Sequence, residues 1–452
     1  MKPSILKGTR DFTPEQVIKR NYIFDTIKRV FIKYGFQPIE TPAMENLETL
    51  TGKYGEEGDK LLFKVLNNGN FLEKADKNAI ENGDYKKAVP SLSKRGLRYD
   101  LTVPFARFVV MNQHDLAFPF KRYQIQPVWR ADNPQKGRYQ EFYQCDVDVV
   151  GSDSLVYEAE LSQIYDEVFA ALGVQVVISI NNRKILAGLA EAVGIEDHFM
   201  DMTIAIDKLD KIGLEGVQKE MLERGIPRAA SDKIAQILEV QTLEVLKPLL
   251  QDSKTGRKGI EELETVFSLL EGYNMHNTLV FDITLARGLN YYTGCIFEVK
   301  ANTKVYPNLK MGSIGGGGRY DDLTSVFGLN NVSGVGISFG AERVYDVMEE
   351  LNLFPTAAEQ QLKVMFIALD ESTFPYAFRA LNQVRSAGIN AEIYPEPSKM
   401  KKQMKYANAR NVPFVILVGT EEMASGKLGL KNMASGEQKN LTLEEIVGQL
   451  SN

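Results

Sequence analysis

The stretch that most constrains this chain runs from Lys121 to Gly151, where two alternating segments flank a polar loop. The first reads Tyr123-Gln124-Ile125-Gln126-Pro127-Val128-Trp129-Arg130. The second reads Glu141-Phe142-Tyr143-Gln144-Cys145-Asp146-Val147-Asp148-Val149-Val150. A period of two held over runs this long marks strands whose two faces meet different surroundings. The segment between them, residues 131–139, carries Asn133-Pro134 and Lys136-Gly137 as breakers. The pattern predicts an antiparallel hairpin with a long cationic loop. Gln144, Asp146 and Asp148 then share one face, with Arg130 beside them. A packed face does not accept such a row without partners. It is therefore either solvated, as an antiparallel sheet allows, or the wall of a concave polar site, and the Trp129-Arg130 pair next to the acids gives the site at least equal standing.

Composition removes most other chemistries. Only three histidines occur, His114, His198 and His276, which leaves little room for zinc sites or histidine-based triads. Two cysteines, Cys145 and Cys295, are too few for a disulfide framework and suit a reducing, cytoplasmic compartment. A formal charge of −6 argues against nucleic-acid binding through overall basicity, though not against a local basic patch. No signal-peptide pattern opens the chain and no long apolar run follows, so a membrane partner is not expected. Chemistry has to run on carboxylates, arginines and bound ions.

Along the chain, Thr13-Pro14 opens an amphipathic helix that stops at Gly35. Phe36 to Pro42 follows as an extended strand, confined to an edge by its two prolines. Residues 61–66 read as a short strand, 67–94 as a polar surface insertion, and 96–104 as a strand leading into a helix over about 105–111. Residues 155–172 have helical spacing, 174–180 form a short apolar strand, and 183–275 are helical and charged, as a helical insertion would be. Residues 278–284 and 295–299 read as strands that pair with each other. The run Gly315-Gly316-Gly317-Gly318 reads as a flexible loop or tight turn. Gly334 to Gly340 is a strand running into a helix, and its glycines miss the dinucleotide-binding spacing. Beyond a linker at 351–361, the continuous apolar runs 364–368 and 414–418 and the helical segments between them predict a small α/β domain of mixed sheet over 362–452.

An Arg closing one strand, a Gly/Arg-containing loop and Phe142-x-Gln144-x-Asp146 on the returning strand resemble motif 2 of the class II aminoacyl-tRNA synthetases. Asn133-Pro134-Gln135-Lys136-Gly137-Arg138-Tyr139 resembles the histidyl branch of that family in particular. The N-terminal helix and Pro42 resemble motif 1, and Gly334 to Arg343 resembles motif 3. Arg287-Gly288-Leu289-Asn290-Tyr291-Tyr292-Thr293-Gly294 is similar to the Arg-Gly-Leu-x-Tyr-Tyr-Thr-Gly signature of histidyl-tRNA synthetases, with Asn290 where many relatives have Asp.

The resemblance implies an α+β fold: a class II synthetase-type antiparallel sheet flanked by helices in a catalytic domain over 1–350, a helical insertion near 183–275, and a C-terminal anticodon-binding domain. It implies activation of L-histidine by ATP, with Mg²⁺ bound to the substrate rather than to the protein, and transfer of histidine to tRNA(His) by a homodimer. Arg130 and Arg287 would flank the α-phosphate and the substrate carboxylate as the catalytic cations, and Arg343 would bind ATP. Asp100, Thr102 and Gln144 would take the α-ammonium group, with Asp100 standing where bacterial relatives often have Glu. Asp148 and Tyr292 would bracket the imidazole, with Tyr291 nearby. Gln135 and Arg138 would meet the tRNA acceptor end. A synthetase-like regulatory subunit of histidine biosynthesis is the alternative, but such relatives generally lack the tail domain and the Arg-Gly-Leu-x-Tyr-Tyr signature, and this chain has both. A threonyl, prolyl or glycyl enzyme would lack the pairing of Arg287-Gly288 with Tyr291-Tyr292.

Overall fold

Strands Phe120–Trp129 and Glu141–Val150 pair antiparallel along their whole length in a computed structural model of the chain, with Arg122 opposite Asp148 and Gln126 opposite Gln144. The structure describes residues 2–52, 54–239, 242–286, 291–355 and 362–451. Two compact units divide the chain, Met1–Leu353 and Phe354–Asn452.

In the first unit the hairpin belongs to an eight-stranded sheet. Its order across the sheet is Gln37–Pro38, Phe120–Trp129, Glu141–Val150, Gly334–Gly340, Gly315–Tyr320, Cys295–Ala301, Val176–Asn182 and Thr278–Phe281. The five inner pairings are antiparallel and the two outermost are parallel. The proline-bearing strand is a two-residue edge, as the missing N–H donors require. Two expectations fail here. Thr278–Phe281 and Cys295–Ala301 do not pair with each other, because Val176–Asn182 lies between them and bonds to both. The glycine run is no loop but the first part of a buried inner strand.

Glycine has low strand propensity, so the reason has to lie in the neighbours. A Cβ on Gly317 would stand 2.1 Å from the Gly336 carbonyl oxygen, and one on Gly336 would stand 2.0 Å from Asp148 Oδ1. The strands approach so closely that only hydrogen fits. Gly317→Ala is expected to cost about 3 kcal/mol or more, since backbone rather than a flexible side chain has to move. Chemical denaturation of the purified variant measures it; a cost under about 1 kcal/mol would mean that the two strands separate easily.

Helices cover one sheet face. Pro14–Lys33 starts with a capping box, in which Thr13 Oγ1 accepts from Gln16 N and Gln16 Oε1 accepts from Thr13 N. It buries Ile23, Ile27 and Phe31. The Phe31 ring lies 5.9 Å from Phe339, which meets Tyr165 and Phe169 of helix Val156–Ala171 at 4.8 and 5.5 Å. Cys145, Val147 and Val149 are buried within this layer. Gln144, Asp146 and Asp148 therefore point to the other face.

A second, three-stranded sheet, Met44–Asn46, Arg95–Leu97 and Lys64–Val65, holds the chain before the hairpin. The strand read at 61–66 shrinks to Lys64–Val65, and the polar stretch 67–94 contains two short helices, Lys77–Glu81 and Tyr85–Leu92. Helix Thr102–Asn112 begins three residues before the expected start, because Asp100 Oδ1 accepts from the Val103 N–H and so supplies its first turn. The 183–275 stretch is a succession of helices from Arg183–Val193 to Lys254–Leu269.

The second unit has a mixed five-stranded sheet in the order Ala391–Ile393, Val364–Ala368, Phe414–Val418, Leu428–Asn432, Gln438–Leu441. The first three strands are parallel and the last two antiparallel. Val364–Ala368 is buried along its whole length, which explains its unbroken apolar run. Helix Met400–Ala409 seats the buried Gln403 on the Ala368 carbonyl and leaves Lys401, Lys402 and Lys405 exposed.

Candidate active site

A cavity of about 360 Å³ opens on the sheet face that carries Gln144, Asp146 and Asp148. Among the residues singled out from the sequence, Asp100, Thr102, Arg130, Arg138, Gln144, Asp148, Tyr291, Tyr292 and Arg343 line it. These come from the loop before helix Thr102–Asn112 and its first turn, the loop and second strand of the hairpin, the segment just before strand Cys295–Ala301, and helix Ala341–Glu350. Gln135 lies instead on an adjoining cavity of about 490 Å³, which Arg138, Arg343, Lys300 and Lys310 also line. Arg287 falls outside the described residues, as does Asn290.

Arg130 is held by its neck. Its Nε donates to the Tyr99 carbonyl at 3.0 Å, and the guanidinium carbon sits 4.2 Å from the Tyr99 ring centroid and 5.2 Å from that of Phe142. Two aromatic faces set the plane of a cation that cannot lose its proton. Arg343 bridges two backbone segments, donating from Nε to Gly137 O at 2.7 Å and from Nη1 to Ser313 O at 2.5 Å. The hairpin loop is tied to the same helix by Tyr139 Oη on Asp346 at 2.8 Å and Lys136 on Glu350 at 2.6 Å. Loop and helix thus present Arg138 and Arg343 together.

The cavity also carries buried acids. Asp100, Asp146 and Asp148 are 3%, 2% and 2% exposed. Burial pushes all three carboxyls above the ordinary range, because it penalises the charged form. The nearby Arg122 charge pulls Asp146 and Asp148 part of the way back, while the Asp148 charge raises Asp146 further. Asp100 Oδ1 accepts from Tyr54 Oη at 2.9 Å and from Val103 N at 3.1 Å. Asp148 pairs with Arg122 Nη2 at 2.8 Å and accepts from Tyr320 Oη at 2.6 Å. Tyr291 packs edge-on to Tyr292 with ring centroids 4.8 Å apart, and to Tyr320 at 6.3 Å. Thr293, next in the chain, bonds through its N–H to Arg319 O and through its hydroxyl to Asp321, and Arg319 makes a two-pronged pair with the buried Glu158. That network fixes the aromatic wall.

Four residues of this site had no role in the sequence reading: Tyr54, Arg122, Asp146 and Tyr320. Arg122 and Asp146 carried a signal, since both obey the alternation that placed Asp148. Tyr320 ends the glycine run that was read as a turn, and Tyr54 had no distinguishing context.

The arrangement gathers guanidinium groups and buried carboxylates around one half-enclosed cavity. Such a cavity suits a zwitterion whose carboxylate faces the cations, alongside a polyphosphate. Among the described residues no group of three or more His, Cys, Asp or Glu is placed to hold a metal ion. None of the described helices is long and apolar enough to cross a membrane.

The family model "Histidyl-tRNA synthetase" matches residues 70–344, and the model "Anticodon binding domain" matches 363–452. A curated protein of Christiangramia forsetii named "Histidine--tRNA ligase" is 57% identical, covering 99% of both chains. One of Bacteroides fragilis with the same name is 55% identical over 100% of this chain and 99% of its own. Among solved structures, histidyl-tRNA synthetase from Nostoc sp. PCC 7120 superposes with a TM-score of 0.83 at 30% identity, covering 100% of this chain and 99% of the other. These relatives carry the name of the ligase, not of the regulatory alternative, and they match both units. On its motifs, its fold and these matches, the chain belongs to the histidyl-tRNA synthetase family.

Proposed function

We propose that this chain is a histidine–tRNA ligase. It joins L-histidine to ATP as histidyl-adenylate with release of pyrophosphate, then passes the histidyl group to the 3′ end of tRNA(His). The observation that carries this reading is the cavity that brings Arg130 and Arg343 together with the three buried carboxylates of Asp100, Asp146 and Asp148. The nucleophile of the first step is the substrate carboxylate, already ionised at neutral pH, so no general base is needed. What the reaction requires is fixed positive charge to bring two anions together and to stabilise the phosphoryl oxygens in transit. In this reading Arg130 and Arg287 take the α-phosphate and the substrate carboxylate, Arg343 takes the nucleotide, and Mg²⁺ arrives with ATP. Asp100, Thr102 and Gln144 receive the ammonium group. Asp148, Tyr291 and Tyr292 form the imidazole end, where buried polar groups reject side chains that leave them unpaired.

Gln135 and Arg138 close the tip of the hairpin loop through paired backbone bonds of 3.1 and 2.8 Å. Both border the adjoining cavity with Lys300 and Lys310, a setting suited to a phosphodiester chain end, and we assign the tRNA acceptor end to it. The Lys-bearing helix Met400–Ala409 of the second unit serves anticodon binding. The motif 1 resemblance of Pro14–Lys33 and its edge strand supports a homodimer, and two free buried cysteines suit the cytoplasm.

The test is ATP–pyrophosphate exchange with each amino acid in turn. Histidine alone should support it, and exchange with none would remove the reading. Gln135→Ala with Arg138→Ala should lower aminoacylation of a tRNA(His) transcript by about 10- to 100-fold while exchange stays within about twofold of wild type. Parallel losses in both assays would withdraw the acceptor-end assignment.

A further inference from the structure

The acids at the cavity floor are not equivalent. Both oxygens of Asp148 already meet protein cations or donors, Oδ2 through Arg122 and Oδ1 through Tyr320, and Oδ1 also lies against the Cα of Gly336. Asp146 differs. It is 2% exposed, lines the cavity, and its Oδ1 is buried with no hydrogen-bond partner. Two further acceptors lining the cavity share that condition, Asp100 Oδ2, whose sister oxygen is used by Tyr54 and Val103, and Gln144 Oε1, whose amide nitrogen is used by Ser338; Asp148 Oδ2 also has no hydrogen bond, but Arg122 Nη2 stands 2.8 Å from it as an ion-pair partner. A buried acceptor without a donor is costly, and native structures hold few. Three that line one cavity and stand outside the ion pairs of the described residues suit a ligand with three donors.

Taking the histidine–tRNA ligase reading as given, we propose that Asp146 is the charge partner of the substrate ammonium group, completing a three-acceptor cradle with Asp100 and Gln144. An ammonium nitrogen has three N–H donors and no acceptor, which matches the three open oxygens one to one. Along the strand, side chains two apart on one face are spaced by about 7 Å. Asp146 thus stands between Gln144, on the Arg130 side, and Asp148, beside the tyrosines. The α-carbon of a histidine with its carboxylate on Arg130 and its ring among the tyrosines falls at that middle position.

The experiment compares two ligands on the full-length protein. L-Histidine carries the ammonium group; 3-(imidazol-4-yl)propanoate has the same ring and carboxylate without it. Asp146→Asn keeps the shape and removes the charge. It is expected to weaken L-histidine by about 10- to 100-fold and to leave the affinity for the deaminated analogue within about twofold of wild type, with the KM for ATP equally unmoved. If both ligands weaken together, Asp146 reads the ring or merely supports the site, and the proposal is overturned. If neither weakens, it is also overturned. Asp146→Ser is the second variant should the first not fold. Independently of any variant, a structure of the wild-type protein with L-histidine should place the ammonium nitrogen within hydrogen-bond reach of Asp146 Oδ1; an ammonium seated on Asp100 and Gln144 alone would overturn the assignment. Loss of histidine-dependent exchange in the wild type would instead count against the ligase reading, so the two failures are distinguishable.

Discussion

Arg130→Ala should lower histidine-dependent ATP–pyrophosphate exchange by about 1,000-fold or more, the scale of removing a fixed charge aimed at a developing anion. The expectation rests on how the side chain is held. One of its nitrogens is committed to the Tyr99 carbonyl, and two aromatic rings fix its plane. The rest of the guanidinium lines the cavity and makes no ion pair among the described residues. Its charge is available to a ligand at no cost in broken protein contacts. Truncation removes one backbone hydrogen bond, some ring stacking and an attraction that offsets part of the burial of Asp100, so stability should fall by about 1–2 kcal/mol. Thermal unfolding and exchange kinetics measured on the same preparation separate the effects. Arg130→Lys keeps the charge but not the planar fork, and an intermediate rate is expected. Exchange within about tenfold of wild type in the alanine variant would mean that the cation reaching the phosphate comes from elsewhere.

The second large effect is on stability. Arg122 is completely buried beneath the cavity, with the Phe105 ring 4.2 Å from its guanidinium carbon. Asp148→Ala leaves that charge without its directly opposed carboxylate and is expected to destabilise the fold by about 3–5 kcal/mol. Denaturant unfolding reads it directly. Replacing both members with apolar residues, Arg122→Met with Asp148→Leu, should recover most of the loss, since neither desolvated charge then remains. If the single variant unfolds within about 1 kcal/mol of wild type, Asp146 or solvent neutralises Arg122 and the pair is not what holds the floor together. A raised KM for histidine in Asp148→Ala is accordingly no evidence of direct imidazole contact, because the same substitution frees Tyr320.

Much of this site was legible before any fold was known. The hairpin announced itself through strict alternation, which also put Gln144, Asp146 and Asp148 on one face. The N-terminal helix was bounded by Thr13, Pro14 and Gly35 because capping is chemistry between residues a few positions apart. The order of the signature motifs placed Asp100, Thr102, Tyr291, Tyr292 and Arg343 near each other, and they line one cavity. These are local patterns, or matches to stretches whose meaning is local.

Other features depended on partners far along the chain. Four consecutive glycines have every property of a turn, and only the carbonyl of Gly336 and the strands on either side make them a buried strand. Thr278–Phe281 and Cys295–Ala301 looked like a hairpin from proximity in sequence, yet a strand from before the helical insertion lies between them. The division of labour between the two aspartates is the clearest case. Alternation assigns both to the same face and cannot rank them. Register across the ladder puts Arg122 opposite Asp148, and Tyr320, 172 residues further on, occupies the remaining oxygen. A face is a property of one strand and can be read from its residues in order. Which acid is left open for a ligand is a property of the neighbours, and it exists only once the sheet has closed.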